Sequence, residues 1–109
     1  MKFALLPIAL LCSAAVFAHT PVCRCELNSN QIDCEGGYHD GSKAAEVSMS
    51  VYAYSGEVLA SGKLNKASRF TFPLPTQAFY VLMDAGPGEM FEVDWMDING
   101  VNKGMFAPQ

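Results

Sequence analysis

The stretch Glu46-Val47-Ser48-Met49-Ser50-Val51-Tyr52-Ala53-Tyr54 decides how the rest of the chain is read. Val47, Met49, Val51 and Ala53 fall on every second residue, with Ser48, Ser50, Tyr52 and Tyr54 between them. A period of two puts the first set on one side of an extended strand and the second set on the other, which describes a half-buried β-strand. The same alternation continues downstream between turn signals. Ser55-Gly56 turns the chain into Val58–Leu64, and Asn65-Lys66-Ala67-Ser68 turns it again into Arg69-Phe70-Thr71-Phe72, which Pro73 and Pro75 stop. Ala78–Ala85 follows, with Phe79, Val81 and Met83 on one face. After Gly86-Pro87-Gly88, Met90–Ile98 turns Phe91, Val93 and Trp95 one way and Glu92 and Asp94 the other. Upstream, Val22–Asn28 and Gln31–Gly36 form a hairpin about Ser29-Asn30. No helical periodicity of useful length occurs after Ala18.

About seven short strands, with turns every eight to twelve residues, predict an all-β fold: one small two-sheet β-sandwich over residues 19–98. Val51, Phe70, Phe72, Val81, Val93 and Trp95 are expected between the sheets. Residues 99–109, with Gly100, Gly104 and Pro108 and little alternation, read as a loosely held tail.

The N-terminus carries an address. Met1-Lys2 precedes the apolar run Phe3–Leu11, and Val16-Phe17-Ala18 offers small residues where a signal peptidase requires them. Residues 1–18 therefore read as a secretory signal peptide, with His19 as the mature first residue. The run is too short for a membrane span and contains Pro7. Leu11 before Cys12 argues against lipidation. The expected product is periplasmic or secreted, with no membrane insertion after cleavage. The 109 residues carry seven basic and eleven acidic side chains, a formal net charge of −4. That balance argues against nucleic acid as a partner, and the length excludes a multidomain enzyme.

Cys23, Cys25 and Cys34 are the chemical lead. A two-residue turn at Ser29-Asn30 sets Leu27 opposite Ile32 and Cys25 opposite Cys34, so all three cysteines share the apolar face of the hairpin. Two readings compete. In one, Cys25 and Cys34 form a disulfide in an oxidising compartment and Cys23 is spare. In the other, Cys23, Cys25 and Cys34 supply soft ligands to Cu(I) or Zn(II), with His19 or His39 completing the site. A mature His19 would add an α-amine and an imidazole that together chelate Cu(II) or Ni(II). His39, in the loop Gly36–Gly41, has Asp40 beside it as a possible orienting partner.

The methionines show no ligand spacing, and Met49 and Met83 fall on core faces. Asp84, Glu89, Glu92, Asp94 and Asp97 read as a solvated face. No Ser-His-Asp arrangement, Cys-x-x-Cys helix or phosphate-cradling loop is present, so the protein is not expected to be an enzyme.

The segments Gly41–Val47, Val51–Leu64, Arg69–Phe72 and Tyr80–Gly88, the last ending Asp84-Ala85-Gly86-Pro87-Gly88, resemble transthyretin-like, carboxypeptidase-regulatory-like sandwiches of exported bacterial proteins. The ending followed by a Glu-Val strand is similar to accessory proteins of bacterial nickel and cobalt uptake. The resemblance spans residues 36–98 and implies an immunoglobulin- or prealbumin-like sandwich. Combined with the cysteines, it leads to a periplasmic, non-enzymatic protein that binds a transition metal (Ni, Co, Cu or Zn). Such a protein would assist metal uptake or homeostasis, with a membrane transporter or another exported protein as partner. The alternative is a disulfide-stabilised structural or protein-interaction module without metal, presenting Tyr52, Tyr54 and Tyr80 to a partner.

Overall fold

The computed structural model describes residues 20–108, so the signal peptide read over residues 1–18 and the expected terminal ligand His19 lie outside the described residues. Seven strands run in chain order: β1 (Pro21–Asn28), β2 (Gln31–Tyr38), β3 (Ser48–Ala53), β4 (Val58–Lys63), β5 (Arg69–Pro73), β6 (Phe79–Asp84) and β7 (Met90–Asp94). They form two antiparallel sheets, one ordered β1-β2-β5 and the other β4-β3-β6-β7. This is the two-sheet sandwich that the alternation requires.

Each sheet contributes one apolar face to the core. Ile32, Cys34 and Phe72 come from the three-stranded sheet, and Met49, Val51, Phe79, Val81, Met83 and Val93 from the four-stranded one. Val51 pairs with Val81 and Val81 with Val93, so one row of β-branched side chains crosses three strands at the same level. Leu64, Ala44 and Ile98 are buried from the connections. Removing the larger of these side chains, the valines, leucine, isoleucines, methionines and phenylalanines, from water stabilises the fold by about 1.5–3 kcal/mol each. A register shift between Val51 and Tyr52 marks a bulge against β4.

Two expected core residues sit differently. Phe70 is half-buried beside Phe72, with ring centroids 5.8 Å apart. Trp95 lies beyond β7, which ends at Asp94. The Asp94 carboxylate accepts from the Met96 N–H and caps the 3₁₀ turn Trp95–Asp97. An N-capping carboxylate bends the chain where alternation alone would extend the strand to Ile98.

The C-terminal segment is tied to the sandwich rather than loose. The Leu27 N–H donates to the Asn99 carbonyl at 2.9 Å, and Glu26 and Asn99 form a parallel bridge on the edge of β1. A second 3₁₀ turn, Lys103–Met105, delivers Phe106 onto Phe79 and Trp95. The Ala107 N–H then donates to the Thr76 carbonyl at 2.7 Å. Apolar contact and satisfied backbone groups hold what composition alone marked as tail.

Candidate functional site

The cysteine hairpin is built by its register. β1 pairs with β2 so that Cys25 faces Cys34, Leu27 faces Ile32 and Cys23 faces Gly36, as the two-residue turn predicts. The Cα atoms of Cys25 and Cys34 are 4.0 Å apart, closer than ordinary cross-strand neighbours, which stand about 4.5–5.5 Å apart. The two sulfurs are joined as a disulfide. Cys34 has no solvent exposure and Cys25 is 4% exposed, so the bond lies inside the sandwich.

Cys23 keeps a free thiol. Its Sγ lies 4.0 Å from that of Cys25, and the three sulfurs fall within 4.8 Å of one another. A thiol aligned for attack along the disulfide axis would stand about 6 Å from the far sulfur, given S–S bonds near 2 Å. Cys23 therefore sits beside the bond and not in line with it. Burial pushes the Cys23 thiol up to about 11 from an ordinary 9.0, because a thiolate in apolar surroundings loses its hydration. At neutral pH it is a protonated, weakly nucleophilic SH.

This geometry corrects the metal reading. The proposed centre needs three thiolates, whereas two of its sulfurs are spent on each other and the third is protonated. Cys23, Cys25 and Cys34 do lie together, as expected for a soft-metal site, but they lie together as a staple and a spare thiol. The expected Cu, Zn, Ni or Co ion, and with it the function in metal uptake, is overturned by the Cys25–Cys34 bond. His39 is exposed in the turn after β2, where its N–H donates to the Thr20 carbonyl at 2.8 Å. Asp40, expected to orient His39, accepts at Oδ1 from the Ser42 N–H and hydroxyl, at 2.9 and 2.7 Å.

Two residues that frame the hairpin have no conspicuous sequence signature. A Cβ on Gly36 would come within 2.7 Å of Leu64 Cδ1 and 3.2 Å of Met83 Sδ, so glycine lets these side chains pack under the strand opposite Cys23. Ser68 is buried at φ 62°; its hydroxyl accepts from the Ala44 N–H and its carbonyl from the Gly36 N–H. Only the weak cue of a Ser in the turn Asn65–Ser68 pointed to it.

The expected tyrosine face is assembled on the outer side of the four-stranded sheet. Tyr52 pairs with Tyr80 across β3 and β6, with ring centroids 5.5 Å apart, and Tyr54 stacks on Tyr80 at 5.8 Å. The Tyr54 hydroxyl donates to the Asp94 carboxylate. Three linked aromatic side chains with polar tips make a surface of the kind that anchors protein contacts.

No protein-family model matches this chain, and neither a curated protein nor a solved structure is detectably similar to it. The relation to transthyretin-like sandwiches thus stands as a likeness of architecture: a small all-β domain of two antiparallel sheets. Among the described residues no helix is long and apolar enough to cross a membrane.

Proposed function

We propose that this protein is an exported, non-enzymatic β-sandwich of the transthyretin-like kind that serves as a structural or protein-interaction module. The observation that carries this reading is the Cys25–Cys34 disulfide inside the sandwich. Such a bond persists in oxidising compartments and is rare in reducing ones. It also suits a domain of this size, whose core alone gives a narrow margin of stability. The hydrophobic leader Phe3–Leu11 and the cleavage pattern ending at Ala18 support the same destination.

The partner is another exported protein, engaged through Tyr52, Tyr54 and Tyr80. Aromatic rings on a rigid sheet offer large contact area at low entropic cost. Cell fractionation combined with photo-crosslinking tests this. A benzophenone amino acid at position 54 is expected to give one discrete adduct in the exported fraction, lost in a Tyr80→Ser variant of unchanged melting temperature. No adduct from positions 52, 54 or 80 would reduce the reading to a purely structural module. Recovery from the cytoplasm with Cys25 and Cys34 as free thiols would overturn export as well.

A further inference from the structure

A concave surface lies at the end of the sandwich where the C-terminal segment returns. This half-open groove offers about 720 Å³, within the range of small-molecule sites. Trp95 and Phe106 form its apolar wall, edge to face with centroids 5.1 Å apart, and Phe106 in turn rests on the fully buried Phe79 at 6.1 Å. Tyr54 and Pro108 line it too, and Gln77 brings a side-chain amide. The wall is anchored, because the Ala107 N–H bond to Thr76 clamps the returning segment against the strands.

Charge narrows the choice of ligand. Lys103 is the sole charged side chain lining the groove among the described residues, and no ion pair there engages it. The 3₁₀ turn fixes its backbone, with the Phe106 N–H donating to the Lys103 carbonyl at 3.2 Å. The nearby Asp94 carboxylate is taken by the Tyr54 hydroxyl and the Met96 N–H. Among the described residues a single cation beside aromatic walls complements a singly charged anion with a planar apolar body, the local charge acting against the net negative charge of the chain. A sugar would ask for more hydrogen-bonding groups than this wall offers. A phosphate dianion would ask for more positive charge. We propose that this groove binds a small aromatic carboxylate, its ring against Trp95 and its carboxylate on the Lys103 ammonium. The proposal goes beyond the protein-interaction reading above and does not rest on it, although the groove and the tyrosine face share Tyr54.

Trp95 is the only tryptophan in the chain, so its fluorescence reports the groove directly. The probes are 1-naphthoate, neutral 1-naphthalenemethanol and cationic 1-naphthylmethylamine, titrated into the whole protein at low salt. Naphthoate is expected to change Trp95 emission saturably and to bind at least tenfold tighter than the alcohol. That advantage should vanish in the exposed-site variant Lys103→Gln, checked for an unchanged circular dichroism spectrum, and shrink in 0.5 M salt. Tyr54→Ala should weaken naphthoate and alcohol alike. No saturable change, equal binding of the three probes, or an undiminished preference in Lys103→Gln would each overturn the proposal. Binding of a peptide with a C-terminal phenylalanine but not of naphthoate would overturn it in favour of a protein ligand.

Discussion

Reducing the Cys25–Cys34 bond should cost the fold about 2.6 kcal/mol. The two cysteines are nine positions apart. A cross-link closing a loop of about nine residues removes roughly 8.7 cal/mol/K of entropy from the unfolded chain, which is about 2.6 kcal/mol at 25 °C. Reduction removes no heavy atom from the core, although the two sulfurs must move apart from bonding to van der Waals distance, so the difference reports mainly the cross-link. The assay is urea unfolding of the wild type with and without a phosphine reductant. With a slope near 1 kcal/mol/M for a domain of this size, the midpoint should fall by roughly 2.6 M. The slope itself should rise slightly, since an unlinked chain exposes more surface when unfolded. The thermal midpoint should fall by roughly 10–15 °C. The Cys25→Ala/Cys34→Ala double variant, which has no bond to reduce, should respond to the reductant by less than about 0.5 kcal/mol, within the scatter of the extrapolation. A wild-type change below about 0.5 kcal/mol would refute the view that this bond staples the domain.

Three further outcomes follow from the same geometry. Val81→Asp places a carboxylate in the row between Val51 and Val93, with no partner charge among the core residues named there, and should destabilise by several kcal/mol; an unchanged melting temperature would mean that the face assignment is wrong. Gly36→Val must push Leu64 and Met83 aside and should destabilise by about 1–3 kcal/mol in urea unfolding, as overpacking does elsewhere. Cys23 carries a pH signature: with its thiol raised from 9.0 to about 11, the folded state holds a proton that the unfolded state releases. Its contribution is complete below pH 9 and lost as pH rises to 11, by about 2–3 kcal/mol. Stability measured against pH should therefore fall more steeply over that window in the wild type than in Cys23→Ser, and parallel profiles would contradict a buried thiol.

Much of this was legible in the sequence, for identifiable reasons. Wherever one strand face is apolar, a slip of one residue would turn it to water, so the alternation in Val47–Ala53 and Phe79–Met83 sets both strand and register. The hairpin was readable for the same reason, since a two-residue turn leaves one arrangement that puts Cys25 opposite Cys34. What alternation does not encode is where a strand stops. Asp94 ends β7 by capping the next turn, and that removes Trp95 from the inner face. Composition likewise hid the docking of Phe106, because one aromatic side chain among glycines and polar residues acquires its meaning only from Phe79 and Trp95 across the fold. The metal reading failed at the level of chemistry and not of placement. It gathered the right three sulfurs but kept them as thiolates, whereas opposed cysteines this close are within bonding reach and the competing disulfide reading is the one the structure bears out.

Whether Cys25 and Cys34 are bonded in the exported protein is decided by peptide mapping without reduction. The protein is taken from the exported fraction, unfolded, alkylated and digested without a reductant. A linked pair of peptides carrying Cys25 and Cys34 is expected, with Cys23 recovered in alkylated form. Recovery of all three cysteines alkylated, or of Cys23 linked to either of the others, would contradict that pairing.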